Sequence, residues 1–557
     1  MEWSRKQNQP PRQVLPEFFY RGETLVMGTL WFGGKVRTLV TEADTCEAVF
    51  TEEGRIVAAG DEQDLRSRFG DRITSEKNIN GGTMYPGFTD SHLHMIGHGE
   101  KLQRLDLSEV TSVEKMMSLL RESAEKLPAG EWLIADGFNE NLFTPPVVPH
   151  RRELDKITSD HPVAVSRVCR HAMLVNTRVL ELAGIDASTP DPPGGLVEKD
   201  EDGLPTGYLH DQAQEFVRRV MPGIDGDYLE KALKVSLEDL WQKGFTGAHT
   251  EDLNYYGDHF LTLKTFQNVI DGKKRKFRAN LLVHHEVARL LREAGYQTGD
   301  LNNTLEIGAV KVFGDGALGG RTALLREPYS DDPSTNGVAS HQPDDLVRIV
   351  ATARELVMPV AIHTIGDLAL EYAVDALEAH PPPPGMRDRL IHLQVTAPDL
   401  LERLRRLPVV LDIQPRFVAS DFPWVEKRLG KERLAHSFAW KTYMEKGIAC
   451  AGGSDAPIEP PDPLLGIHAA VTRRKPGETH EGYLPDEKLT LFDSLRLFTT
   501  GSASAIVKEH ERGLIKEGYT ADFTVMNRDL FELQPDEWLD CSVTMTVVDE
   551  SVMYKQE

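Results

Sequence analysis

Apolar and polar positions divide the chain into three textures. Residues 1–21 are polar and Pro-containing and read as a loosely held tail without chemical signals. From Thr24 the pattern turns to short β-branched and apolar runs: Thr24-Leu25-Val26, Val36-Arg37-Thr38-Leu39-Val40, Ala48-Val49-Phe50 and Arg55-Ile56-Val57-Ala58-Ala59. The last two flank Glu52-Glu53-Gly54, a turn signal between strands. The same texture returns in Ala521-Asp522-Phe523-Thr524-Val525-Met526 and Val543-Thr544-Met545-Thr546-Val547-Val548. Two half-modules at opposite ends imply one β-domain closed by both termini, over 22–84 plus 505–557, because lone edge strands would stay exposed.

Between them, over 85–504, strand-like runs alternate with helical stretches, the signature of βα units around a parallel sheet. Candidate strands lie at 87–92, 132–136, 163–168, 245–249, 277–283, 306–313, 358–363, 389–394, 409–413 and 447–453. An eight-stranded barrel needs two fewer. The runs around Trp132 and Val163 are therefore assigned to an insertion after the first barrel strand, spanning about 100–240, with helical stretches at 112–126 and 228–241 and a Pro/Gly/Asp-rich stretch at 189–207. An insertion at the C-terminal end of a barrel strand lands on the face where barrels carry their chemistry. The fold class is thus α/β, a TIM-like (β/α)8 barrel with a small β-domain built from both termini.

Composition narrows the function. The 557 residues, 40% hydrophobic and 27% charged, suit a large globular protein. A net charge of −24 repels phosphate backbones and anionic lipid, so neither nucleic acid nor a membrane is an expected partner. The first ten residues lack the apolar core of a signal peptide and no run of about 18 apolar residues occurs, so a cytoplasmic location is expected. Four scattered cysteines, Cys46, Cys169, Cys450 and Cys541, indicate neither a disulfide framework nor a cysteine metal site.

The chemistry enters with Pro86-Gly87-Phe88-Thr89-Asp90-Ser91-His92-Leu93-His94. In an extended strand, imidazoles at i and i+2 share a face and can share one metal ion, although 19 histidines produce such a spacing by chance. Further polar residues fall in or just after apolar runs: Lys311 in Val310-Lys311-Val312, His363 after Val360-Ala361-Ile362, His392 in Leu390-Ile391-His392-Leu393, and Asp455 after Gly452-Gly453-Ser454. A charge buried there needs a partner or a metal. The six, taken in barrel order, converge on one face.

These segments resemble the amidohydrolase superfamily, in the branch of the YtcJ-like amidohydrolases and N-substituted formamide deformylase (amidohydrolase 3 type). The likeness extends through Trp132-Leu133-Ile134-Ala135-Asp136-Gly137-Phe138-Asn139-Glu140, Gly203-Leu204-Pro205-Thr206-Gly207, Lys311-Val312-Phe313-Gly314-Asp315-Gly316, Gly319-Gly320-Arg321, His363-Thr364-Ile365-Gly366-Asp367, Gly452-Gly453-Ser454-Asp455-Ala456-Pro457 and Gly513-Leu514-Ile515. The resemblance implies that His92, His94 and Asp455 hold one divalent ion and His363 and His392 a second. It also implies that Lys311 bridges the two as a carbamate; an ordinary lysine paired with an acid such as Asp455 is the alternative. Zinc suits the ligands best, with iron, manganese or cobalt open. An ion there would bring the pKa of a water toward about 7, with Asp455 as general base.

Substrate contacts are expected from Arg321, whose forked donors suit a carbonyl or carboxylate but equally a structural ion pair. They are also expected from Trp132 and Asn139 in the insertion, where packing or loop closure competes, as it does for His171 and Asn176. The expected activity is metal-dependent hydrolysis of a non-peptide C–N bond in a small amide: an N-formyl or N-acyl amine, or a cyclic amide. A lactonase or other ester hydrolase on the same site, and a non-catalytic binding protein of this fold, are the alternatives. A homodimer is the default oligomer.

Overall fold

The computed structural model describes residues 28–158, 160–167 and 171–557. The tail at 1–21, the run at 24–26 and Cys169 lie outside the described residues.

Eight parallel strands form the central sheet: β1 (Phe88–Leu93), β2 (Phe245–Thr250), β3 (Arg278–His284), β4 (Leu305–Phe313), β5 (Val360–Thr364), β6 (Asp388–His392), β7 (Val409–Ile413) and β8 (Ala449–Gly452). They pair in chain order from β1 to β8. The sequence of β7, Val-Val-Leu-Asp-Ile, is buried throughout, as is that of β3. Strands covered on both faces read as apolar runs rather than alternating ones, which is why the barrel was visible in the chain. The (β/α)8 expectation is borne out.

The seam between β1 and β8 is held by side chain and loop. The Asp90 carboxylate accepts from the Ser454 N–H at 3.0 Å and from the His92 N–H at 3.0 Å. The Asp455 N–H donates to the His92 carbonyl, and the His94 N–H to that of Ala456, both at 2.7 Å. Gly453 makes this approach feasible, since a Cβ there would lie 2.6 Å from the His92 nitrogen. Burial raises the Asp90 carboxyl to about 7, against the hydrogen bonds from Ser454 and His92.

Two further sheets make a β-sandwich. One holds Arg55–Gly60, Ala48–Glu52, Gly28–Phe32 and Ile73–Asn78; the other joins Thr83–Pro86 to Phe523–Met526, Val543–Val548 and Ser551–Lys555. Trp31, Val49 and Ile56 of the first sheet pack with Met84, Phe523, Val525 and Val547 of the second. The sandwich meets the base of the barrel through Arg278, at the start of β3, which grips Asp522 at 2.5 and 2.9 Å.

The runs around Trp132 and Val163 lie outside the barrel, in a separate six-stranded sheet built from residues 105–211 with its own apolar clusters. One assignment is corrected. The helical stretch at 228–241, expected within the insertion, forms α2 (Gly226–Gln242), which packs against α1 (Met95–Gln103) and buries Leu229, Leu233, Leu237 and Leu240 in the barrel's cluster. Gly99 on α1 allows the crossing, because a Cβ would sit 1.9 Å from the Ala232 carbonyl oxygen. Together α1 and α2 cover the sheet beside β1 and β2, and the inserted sheet leaves the barrel between them. No helix among the described residues is long and apolar enough to cross a membrane.

Candidate metal centre

The strands deliver the polar residues at their C-terminal ends. His92 lies within β1 and His94 caps α1, so both imidazoles leave the same strand end. The β8 strand stops at Gly452, and the following turn puts Asp455 in the left-handed region at φ 58°. Asp455 Oδ1 lies 3.5 Å from His92 Nε2 and 3.4 Å from His94 Nε2. His392, ending β6, is also left-handed at φ 80°. Non-glycine residues in this region each cost about 1–3 kcal/mol and persist where surrounding contacts over-determine them, commonly at functional sites.

Hydrogen bonds select which ring nitrogens are free. His94 Nδ1 donates to the Glu251 carbonyl at 2.6 Å, leaving Nε2 toward Asp455. His392 Nδ1 bonds Gln414 Oε1 at 2.7 Å, and His363 Nε2 donates to the Gly316 carbonyl at 3.2 Å. A second partner that fixes the tautomer and aims the remaining lone pair is the usual support of a metal-binding histidine. His92, His94 and Asp455 place their ligand atoms within 4.8 Å of one another and form the one such group among the described residues. His363 and His392 pack beside it, ring centroids 4.5 Å apart, with His392 5.7 Å from His92. A buried His92 Nδ1 without a hydrogen-bond partner adds an unsatisfied atom to this cluster. The donor set fits a divalent ion.

The charges are arranged accordingly. Burial pushes His92 and His363 well below the ordinary imidazole range and His392 down to about 4, so these rings are neutral donors. Burial works against the His94 cation too, but the Asp455 carboxylate outweighs it and raises His94 to about 9. Burial opposes the Asp455 anion, yet His94, His392 and Lys311 hold its pKa below the usual carboxylate value.

Lys311, on β4, is 1% exposed and reaches His92 Nε2 at 3.2 Å. Its carboxylate partner is Glu251, at 3.4 Å, and not Asp455 as the sequence reading offered. Glu251 follows directly on β2, separated from β4 by β3 alone, whereas Asp455 is turned toward the two β1 histidines. Sequence reasoning passed over Glu251 altogether. The one available signal was its place immediately after an apolar strand, where the other members of the set also lie.

The expected substrate contacts are engaged elsewhere. Arg321 makes a bidentate pair with Asp331, at 3.1 and 2.9 Å, and Arg428 joins the same carboxylate. Trp132 packs on the insertion's apolar cluster, and Asn139 caps a short turn by accepting from the Asn141 N–H at 3.2 Å. Asn176 is a buried cap of a helix in the insertion, and His171 is an exposed partner of Asp211. His98 is buried in α1 against Asp239, at 2.7 Å. His249 lines a cavity of about 20 Å³ at the sandwich end of the barrel.

Known proteins place this architecture. The chain is 47% identical to the Bacillus subtilis (strain 168) protein named as amidohydrolase YtcJ, over 95% of this chain and all of that one. It is 25% identical to the N-substituted formamide deformylase of Arthrobacter pascens, over 94% and 97% of the two chains. Among solved structures, a metal-dependent hydrolase from Pyrococcus horikoshii superposes with a TM-score of 0.75 at 29% identity, covering 91% of this chain and 99% of that one. One from Pyrococcus furiosus gives 0.74 at 26% identity, covering 91% and 100%. The family model described as "Amidohydrolase family" matches residues 77–554, and the chain belongs to that family of metal-dependent hydrolases.

Proposed function

We propose that this hydrolase cleaves a non-peptide C–N bond in a small amide, with an N-formyl or N-acyl amine as the first substrate class. The observation that carries the reading is the Asp455 carboxylate, held within 3.5 Å of the Nε2 atoms of His92 and His94 and still 13% exposed at the barrel mouth. The relation to N-substituted formamide deformylase supports the formyl or acyl group.

His92, His94 and Asp455 would hold one divalent ion and His363 and His392 a second, with zinc favoured by imidazole and carboxylate donors. Lys311 as an ammonium competes with a cation for His92. Reaction of that ammonium with carbon dioxide, with loss of two protons, would turn Lys311 into a carbamate, an anionic group that could hold both ions. Divalent ions in such sites supply an activated water at neutral pH and polarise a carbonyl. Asp455 does the proton work. It takes a proton from the attacking water as the C–O bond forms and hands it to the departing nitrogen as the C–N bond breaks, because an amine leaves only once protonated. For an N-formyl amine the products are formate and the free amine.

The test is a hydrolysis screen of zinc-loaded protein against N-formyl amines, N-acyl amines, cyclic amides and lactones, with chelator-treated protein as control. Turnover of an amide that vanishes on chelation and returns with zinc is expected. Turnover of lactones alone would replace the reading with esterase chemistry, and a folded protein that binds no divalent ion would sink it.

A further inference from the structure

Glu251 is a carboxylate that the chemistry above does not use. Its side chain is fully buried. Oε2 faces Lys311 at 3.4 Å and accepts from the Tyr255 hydroxyl at 3.1 Å, while Oε1 has no hydrogen-bond partner. Its own carbonyl fixes His94. Lys311 Nζ in turn lies 3.2 Å from His92 Nε2, a nitrogen that must turn a lone pair to any bound ion. The lysine ammonium therefore occupies a cation's place, between an imidazole and a carboxylate.

We propose that Glu251 is a further ligand of the metal centre, exchanging the Lys311 ammonium for a divalent ion when the site loads. The proposal rests on the reading that this site holds divalent ions. Charge drives the exchange. An ion at His92 repels the ammonium, so Lys311 must withdraw, lose its proton or become a carbamate, and in each case Glu251 loses its positive partner. A fully buried carboxylate does not persist without one. The nearest replacement is the ion itself. Oε1 has its lone pairs free for it, and the Tyr255 hydroxyl on Oε2 keeps the carboxylate oriented, as partners of metal-binding carboxylates do. A carboxylate that served only as the counter-ion of Lys311 would instead become superfluous on loading.

The experiment uses full-length protein stripped with chelator and titrated with zinc, reading zinc per chain by mass spectrometry and affinity by competition with a chromophoric chelator. E251Q is expected to weaken zinc binding at least about 10-fold, the lower range for losing a supporting group of a metal site. Because E251Q leaves Lys311 unpaired and can fail to fold, K311M and the double variant K311M/E251Q form a second comparison. In K311M the lysine ammonium is gone and zinc can take its place beside Glu251, so zinc is expected to raise its Tm more than that of the double variant. Equal zinc affinity in wild type and a folded E251Q, or equal zinc-induced shifts in the two K311M backgrounds, would overturn the proposal while leaving the metal site intact. Folded wild type that binds neither zinc nor manganese, iron or cobalt would overturn both the proposal and the reading beneath it.

Discussion

Replacing Asp455 by Asn separates the base from the scaffold that holds it. The Asn side chain is nearly isosteric and tolerates the left-handed φ of 58°, and the Asp455 N–H bond to the His92 carbonyl, at 2.7 Å, uses backbone alone. What disappears is the negative charge 3.4 Å from His94 and the capacity to take a proton. Loss of a positioned general base costs about 10²- to 10⁴-fold in rate. At about 1.36 kcal/mol per decade this corresponds to about 2.7–5.4 kcal/mol of transition-state stabilisation. His94, raised to about 9 largely by this carboxylate, would fall toward neutrality in D455N, which favours its lone pair and offsets part of the lost ligand. The expected outcome is therefore a fall in kcat with metal still bound at high zinc and KM little changed. Steady-state kinetics on the best amide from the screen, with zinc content measured on the same sample, decides the matter. A D455N protein with full zinc occupancy and wild-type kcat would refute Asp455 as the base.

Other consequences follow from the frame around the site. D522N removes the nearer of the two carboxylates on the buried Arg278 guanidinium at the sandwich–barrel junction, leaving Asp549 at 3.5 Å, and should destabilise the fold by about 1–3 kcal/mol in urea unfolding. Burial opposes the Asp522 anion, but Arg278 overrides it and depresses the pKa in the folded state. Such a group stabilises fully above its unfolded value of about 3.9 and loses that contribution as pH falls through the folded value. The stability gap between wild type and D522N should thus be flat from neutral pH to about 5 and narrow below about 4; a gap that widens on acidification would reverse the sign. G453A pushes a Cβ to 2.6 Å from the His92 nitrogen and 2.9 Å from Asp90 Oδ1, so the seam must open. A loss of about 1–3 kcal/mol in thermal unfolding, with weaker zinc binding, is expected. N176A removes an Oδ1 that accepts from the Val163 and Val179 N–H groups, at 3.1 and 3.2 Å, in the insertion. It should speed limited proteolysis within 105–211 while zinc affinity stays unchanged.

How much of this was legible in the chain depends on whether a feature is local. The barrel strands announce themselves because each is an unbroken apolar run, and the ligand candidates stand out because a polar residue interrupts or ends such a run. His92, Lys311, His363, His392 and Asp455 were all found that way. The helix at 228–241 was misplaced because it follows the insertion in sequence; only its packing on α1 returns it to the barrel. Asp90 was read as part of a motif with no role of its own. Its role is to bridge β1 to the turn after β8, a contact spanning 364 residues, and which two strands form the seam is a property of closure that no local pattern carries.

Glu251 is the sharpest case. It ends a strand as the candidate ligands do, but it stands next to Asp252, among 87 acidic residues, and two adjacent carboxylates point to opposite faces of an extended chain. Which of them meets Lys311 is decided by the pleat at the end of β2. One residue of register gives Asp252 to the Thr250 hydroxyl, at 2.6 Å, and Glu251 to the lysine. The sequence could supply the lysine's need for an acid, from the cost of burying its charge, but the identity of that acid exists only once β2 and β4 stand on the same barrel.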